Sequence, residues 1–343
     1  MSNIKDVAKY AGVSLATASR VMRGENNVSP KKKKLVEDAA KALNYKPNSI
    51  ARQLRKQETR NVIVIIPNIQ NTFFHEIIAG IEKVAFQNDY QVLIVDMQNN
   101  PQIEESYFHS LMQRQTDGII SLSANIGLRL MKEVSENYPV VIAVQNISNI
   151  IELPSVSIDN VAASKEIMQH LIDLGHRNIG HLTCQPTLTL YRDRFTGYCQ
   201  ALAENGIPIN MNFVKYGNST IQSGYEQMCE LVDQDEHIDA VFAAGDIIAI
   251  GAMKALADHG IRVPQDCAVV GFDDIELASF YNPALTTIRQ PQHQIGAIAM
   301  NILCELMAGN QIEDKHVVLD HELVIRKSCG YSLKLQKQFP AEE

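Results

Sequence analysis

From residue 62 onward the chain repeats one pattern: a short apolar run, a helical segment, then another short apolar run. The runs are Val62–Pro67, Gln91–Asp96, Asp117–Ser123, Val140–Val144, Asn178–Thr183, Asp239–Ala244 and Cys267–Phe272. Runs this short and this apolar suit strands buried on both faces, because a half-exposed strand would alternate apolar with polar residues. Strands that alternate with helices favour parallel sheets, since each parallel pair needs a long crossover. An α/β body with helices on both faces of its sheets is therefore predicted, with a break between two halves near Asp159-Asn160. No apolar stretch approaches the ~20 residues that span a bilayer, so no membrane partner is expected.

The first sixty residues follow a different period. Asn3 is placed to cap a helix, with Asp6 as the reciprocal acid and Ile4, Val7, Ala8 and Ala11 at helical spacing. Gly12 stops that helix. Ser14 can cap a second, whose inward stripe is Ala18, Val21 and Met22, and Gly24 closes it. Ser29-Pro30 opens a third, with Leu35, Val36, Ala39, Ala40 and Leu43 facing inward. Two short helices around a tight Gly-Val-Ser turn, closed by a third, make a helix-turn-helix. Its second helix leaves Leu15, Ala16, Thr17, Ser19 and Arg20 facing out. Arg20 has the fork that matches guanine O6 and N7, although a phosphate contact or a plain surface position fits the same pattern. Leu15 and Ala16 suit thymine methyl groups.

Charge supports this division. Residues 1–60 hold fourteen Lys and Arg against five Asp and Glu, a formal +9, which leaves −17 to the rest of a chain whose total is −8. A basic head on an acidic body suits nucleic acid, because Lys and Arg that neutralise phosphates release counterions. The run Lys31–Lys34 alone would indicate only a solvated face.

After the head, Pro47-Asn48 is a break followed by a cap, and Ile50, Ala51 and Leu54 form one apolar stripe on fewer than a dozen residues. So short a helix is marginal in water by itself and needs a partner helix or DNA.

Chemical motifs are largely missing: there is no phosphate-binding loop, dinucleotide fingerprint, nucleophile elbow or zinc-protease motif. The six cysteines form no Cys-x-x-Cys pair and signal neither zinc nor a disulfide framework, and no cofactor or enzymatic activity is expected. The first ten residues are charged and lack the apolar core of a secretory signal, which points to a cytoplasmic, nucleoid-associated protein. The strand ends carry binding chemistry instead. Phe73 and Phe74 sit at a strand-to-helix mouth, where they suit either the core or a flat ligand face. Asp246 and Asp273 each follow a strand, where a carboxylate accepts hydroxyl hydrogens, although Asp246 equally suits the capping of the next helix. Gln145 ends another strand.

The stretch Ile4-Lys-Asp-Val-Ala-Lys-Tyr-Ala-Gly-Val-Ser-Leu-Ala-Thr-Ala-Ser-Arg-Val21, with Asn44-Tyr-Lys-Pro-Asn48 and Ala51-Arg-Gln-Leu54, resembles the head and hinge of the LacI/GalR family of bacterial repressors. The resemblance extends over essentially the whole chain. It implies a helix-turn-helix head at 1–46, a hinge helix and linker at 47–60, and a body at 61–343 like the periplasmic sugar-binding proteins. That body would have two Rossmann-like lobes, one about 61–160 and 291–320, the other about 161–290 and 321–335, with late crossovers near Gln290 and Asp320. Paired hinges would enter the minor groove through Asn48, Ala51, Arg52, Leu54 and Arg55, with Leu54 wedged into the central base step. Effector contacts are implied at Asn71, Phe73 and Phe74, and Arg194 matches the arginine that grips effector hydroxyls, although a surface ion pair fits it too.

The function implied is that of a homodimeric repressor on a pseudo-palindromic operator, controlled by a nucleoside or sugar-like effector bound between lobes. Val64-Ile-Ile-Pro67, Leu153–Asn160 and Ile288-Arg-Gln-Pro291 look most like the cytidine-type (CytR-like) branch. Ser219 stands where purine-binding relatives carry an aromatic, which argues against a purine stack on that side. The tail from Tyr331 is too short and polar for the heptad bundle of tetrameric relatives. Two alternatives are a carbon-catabolite regulator with a phosphocarrier protein as corepressor, and a sugar-binding protein. The latter shares the body but has no use for the basic head.

Overall fold

In the computed structural model the described residues are 3–22, 27–45, 58–98, 100–123, 128–145, 147, 153–186, 188–234 and 237–331. The chain divides into two compact units, Met1–Glu58 and Thr59–Glu343.

The first unit is the helical head: α1 (Ile4–Tyr10), α2 (Leu15–Met22) and α3 (Pro30–Ala42). Asn3 and Asp6 form the reciprocal capping pair at the start of α1. Gly12, at φ +62°, takes the left-handed conformation that turns the chain toward α2. Ser14 accepts from the Thr17 backbone at 3.2 Å and caps α2. Val7, Ala8, Ala18, Val21, Val36, Ala39 and Ala40 are the buried core. Two expectations are corrected. Leu35 is 46% exposed, because α3 turns its Val36, Ala39 and Ala40 face inward and Leu35 lies off that stripe. Ser29 occupies the cap position of α3 but makes no side-chain capping bond there.

The second unit holds two parallel sheets. The six-stranded sheet runs β11-β5-β4-β3-β1-β2, built from β1 (Asn61–Ile66), β2 (Gln91–Asp96), β3 (Gly118–Ser121), β4 (Val140–Ala143), β5 (Ser155–Ile158) and β11 (His316–Leu319). The four-stranded sheet runs β7-β6-β8-β9, from β6 (Ile179–Cys184), β7 (Val214–Gly217), β8 (Ala240–Ala243) and β9 (Ala268–Val270). An antiparallel ribbon pairs β10 (Thr287–Arg289) with β12 (Glu322–Val324). After β9 the chain therefore runs through β10, returns to the first sheet as β11, and comes back as β12.

Helices cover the sheets: α4 (Phe73–Gln87), α5 (Pro101–Met112), α6 (Leu128–Asn137), α7 (Asn160–Asp173), α8 (Thr189–Glu204), α9 (Ile221–Val232), α10 (Asp246–Asp258), α11 (Glu276–Phe280) and α12 (Gln292–Met307). α4 and α12 pack with Gly80 on the His293 carbonyl and Gly296 on the Ile77 carbonyl, so close that a side chain at either glycine would strike backbone. α9 and α10 use the same device, with Gly224 on the Ile248 carbonyl and Gly251 on the Ile221 carbonyl. Each lobe thus locks one helix pair at backbone contact distance.

Candidate functional site

On the head, the outward side of α2 carries Leu15, at 45% exposure, together with exposed Ala16 and Arg20. Thr17 and Ser19 are half-buried, so they sit at the margin of that face. The Thr17 hydroxyl is also 2.9 Å from that of Ser14, which ties it to the helix start. The hinge residues Asn48, Ala51, Arg52, Leu54 and Arg55 lie outside the described residues.

In the body, a cavity of about 180 Å³ opens between the carboxyl ends of strands from the two sheets. From the first sheet come Pro67, Asn68, Asn71 and Phe74 after β1, Met97 after β2, and Leu122 and Ser123 after β3. From the second come Cys184 at the end of β6 with Gln185, Leu188, Leu190 and Tyr191 after it, and Gly217 at the end of β7 with Asn218 and Ser219 after it. Strand carboxyl ends are where open α/β sheets place ligands, because the backbone there diverges into adjacent loops.

Local geometry fixes these side chains. The Asn71 side chain accepts from the Phe73 backbone at 3.1 Å and sets the turn into α4. Phe73 and Phe74 meet edge to face at 5.3 Å, but only Phe74 lines the cavity, while Phe73, 3% exposed, belongs to the core. The Ser123 hydroxyl donates to the buried Glu104 carboxylate at 2.7 Å, and the Gln145 amide donates to the Ser123 carbonyl. Gln145 is thus a buried support behind a cavity residue. The Tyr191 hydroxyl is hydrogen bonded to Ser219 and Cys184. Burial pushes Tyr191 well above the usual phenol range and the Cys184 thiol up to about 12, so both stay protonated at neutral pH.

Beside α8 lies a buried polar cluster. Arg194, 2% exposed, donates to the Asn160 side chain at 3.0 Å and to the Ala244 carbonyl, and pairs with Asp273 at 3.2 Å. Its guanidinium lies 3.6 Å above the Phe272 ring. The Asp273 carboxylate also accepts from Gln290 at 2.8 Å. Burial raises Asp273 to about 6, against the opposing pull of Arg194. The structure therefore brings Arg194 and Asp273 together, as a mutually satisfied pair and not among the residues lining the cavity.

Asp246 stands apart from the expectation of a strand-end ligand. It is fully buried, and its carboxylate accepts from Thr287 at 2.6 Å and from the Ile275 backbone at 2.9 Å, tying α10 to β10. Burial, and then the charge of Asp273, push it well above the usual carboxylate range. Sequence reading did not single out Asn68, Met97, Leu122, Ser123, Gln185 or Asn218. All follow strands directly, so the strand-end rule, applied to β1, β2, β3, β6 and β7 together, would have found them. The same rule reaches Asn160, two residues after β5, and Gln290, directly after β10, once those two short strands are known.

Comparison with known proteins agrees with this division. Residues 3–48 match the model for bacterial regulatory proteins of the lacI family, and residues 168–329 match a periplasmic binding protein-like domain. The HTH-type transcriptional repressor CytR of Escherichia coli (strain K12) is 35% identical over 327 residues, covering 95% of this chain and 96% of that one. The chain belongs to the LacI family of bacterial regulatory proteins. Catabolite control protein A of Priestia megaterium is likewise 35% identical over 327 residues, covering 95% of this chain and 98% of that one. A solved lac repressor dimer, bound to operator and the anti-inducer ONPF, is 29% identical, with a TM-score of 0.85 over 96% of this chain and 99% of that one. This LacI-family chain is thus a DNA-binding transcriptional regulator. Among the described residues, no helix is long and apolar enough to cross a membrane.

Proposed function

We propose that the chain is a homodimeric repressor of the CytR-like kind, without enzymatic activity, acting in the cytoplasm on nucleoid DNA. Each head meets one half of a pseudo-palindromic operator. Arg20, Leu15 and Ala16 read base edges, and Thr17 and Ser19 flank them. The hinge residues Asn48, Ala51, Arg52, Leu54 and Arg55 enter the minor groove, with Leu54 as the wedge that kinks it. A nucleoside or sugar-like effector sits between lobes 61–160 with 291–320 and 161–290 with 321–335.

One observation carries the effector reading: the cavity is walled by strand ends of both sheets, so its occupant bears on how the lobes stand to each other. Phe74 and Asn71 meet the effector on one wall. Arg194 and Asp273 offer a donor and an acceptor for neighbouring hydroxyls from behind the other. Phe73, Gln145 and Asp246 support these groups from the core. Selecting DNA from a random pool, with and without nucleosides and free sugars, tests the proposal. An enriched palindrome whose recovery changes with one metabolite supports it, and enrichment of no sequence refutes it.

The equal identity to catabolite control protein A keeps a second reading in view, in which a phosphocarrier protein is the corepressor. Capture of a phosphocarrier by the operator-bound chain would favour that reading.

A further inference from the structure

The point where the chain enters the body is pinned by one side chain. The Asp117 carboxylate, directly before β3, accepts from the Thr59 backbone at 2.7 Å and the Thr59 hydroxyl at 2.9 Å through one oxygen, and from the Arg60 backbone at 2.8 Å through the other. The Thr59 hydroxyl accepts in turn from the Asn61 backbone at 3.2 Å. Arg60 takes φ +58°, a left-handed conformation that a residue with a Cβ rarely adopts unless its surroundings impose it. Here they do: its carbonyl accepts from the Gln91 backbone at 2.9 Å, and its guanidinium lies 5.0 Å from the centre of the Tyr90 ring. All of these contacts lie at the amino ends of β1, β2 and β3, whereas the cavity lies at carboxyl ends.

We propose that Asp117 is a positioning residue for operator recognition: it fixes the direction in which the chain leaves the body toward the hinge, and so sets how strictly the dimer discriminates the spacing between two half-sites. The proposal rests on the reading of a homodimer on a two-part operator given above, and it concerns a residue outside both the head and the cavity. Two successive N–H groups on the two oxygens of one carboxylate orient the peptide plane between them, and bonds to a carboxylate are among the strong ones. Thr59 and Arg60 precede β1, so these bonds hold the tether side of the strand and add nothing to the ladder. A tether that starts in one direction carries its head over a narrower range than one that starts freely, because fewer conformations remain to be ordered on binding. A symmetric dimer mirrors the spacing of its half-sites, so a narrower range means a stricter spacing. Thr59, Arg60 and Asp117 are only half-buried, so water can replace the lost bonds in a variant and the body should still fold.

The test is competition binding of the full-length chain to two DNAs. One is the operator selected from the random pool. The other is the same operator with one base pair inserted between its half-sites, which moves them apart by about 3.4 Å and turns them by about 35°. The native chain should prefer the selected spacing by about a hundredfold, since the insertion has to be absorbed by untwisting DNA or straining the protein. In Asp117→Ala, checked for folding by circular dichroism, that ratio should drop by about tenfold, while a base change inside one half-site costs the variant as much as it costs the native chain. An unchanged ratio in the folded variant, including an equal loss of affinity for both DNAs, overturns the proposal and leaves Asp117 as a brace for the sheet end. A native chain indifferent to the insertion overturns it too. A random pool that yields no two-part operator overturns the dimer reading, and the proposal with it. If the alanine chain fails to fold, Asp117→Asn carries the test, since its amide nitrogen would face an N–H that a carboxylate oxygen accepts in the native chain. Its ratio should drop severalfold, and no drop overturns the proposal.

Discussion

The head and the body solve recognition in opposite ways. Among the described residues the head folds on seven small and medium buried side chains and places its proposed recognition residues outside, on the face of α2. The body folds around extended apolar cores and places its polar chemistry inside, where Arg194 and Asp273 are nearly inaccessible. The difference follows from the ligands. DNA is too large to enclose, so the head must bring exposed groups to a groove and rely on phosphate charge for affinity. A small molecule gains little from an open surface and is best held where water is excluded and hydrogen bonds are strong. The formal +9 of residues 1–60 against −17 for the remainder is the same division written in charge.

Ionic strength should separate the two units most sharply. Operator affinity should fall on the order of a thousandfold between about 50 and about 200 mM salt if six or more phosphates are contacted. Affinity for a neutral effector should hardly move, and titrations of both ligands across that range check the contrast. Next in size is Arg194→Ala, which strands a buried carboxylate. Unfolding of the body should become easier by about 3–5 kcal/mol, with effector binding lost, while the isolated transition of the head is unaltered in denaturant melts. Arg20→Ala should do the reverse. Operator binding weakens by about 1–3 kcal/mol and one base position relaxes, with effector affinity intact. Equal loss on every DNA sequence would make Arg20 a phosphate contact.

The smallest effect concerns pH. Asp273, raised to about 6, is a carboxylate above that value and loses its charge below it. Effector affinity should therefore be flat above about pH 7 and fall by up to about tenfold per unit as pH drops through 6. The stability term has the opposite sign. Between the ordinary aspartate value and 6 the folded chain binds the proton more readily than the unfolded one, so this group's contribution to stability rises as pH falls through that window. Asp273→Asn should flatten the affinity profile.

Much of the fold was legible because its signals are local. The Asn3–Asp6 cap, the Gly12 turn and the Ala18–Val21 stripe need only neighbours along the chain. The strands β1, β2, β3, β4, β6, β8 and β9 announced themselves as short runs alternating with helical segments. The strands that sequence reading passed over are short or polar. β5 carries Ser155 and Ser157 inward, with Ser155 bonded to His316 of β11, and β10 and β12 have three residues each. Leu35 misled because a leucine at helical spacing looks inward unless the partner helices are known. At the site, residue types were legible but partners were not. Nothing in the segment Tyr191–Tyr198 says that Arg194 would be engaged by Asn160, 34 positions earlier, and Asp273 from a later strand. Asp246 and Asp273 look alike in sequence, each an acid after a strand. Only packing assigns the first to Thr287 and Ile275, and the second to Arg194.

The central claim is that an occupant of the body cavity changes how the head holds DNA. Fluorescence anisotropy of the selected operator, with and without the effector that calorimetric titration with nucleosides and free sugars identifies, tests it directly. Run on the native chain and on a folded Phe74→Ala variant, it should show operator affinity shifting about 5- to 150-fold on effector addition in the native chain. The variant, having lost one wall of the cavity, should need far more effector to produce the same shift. Effector that saturates the native chain in calorimetry yet leaves its operator affinity unchanged would contradict the account.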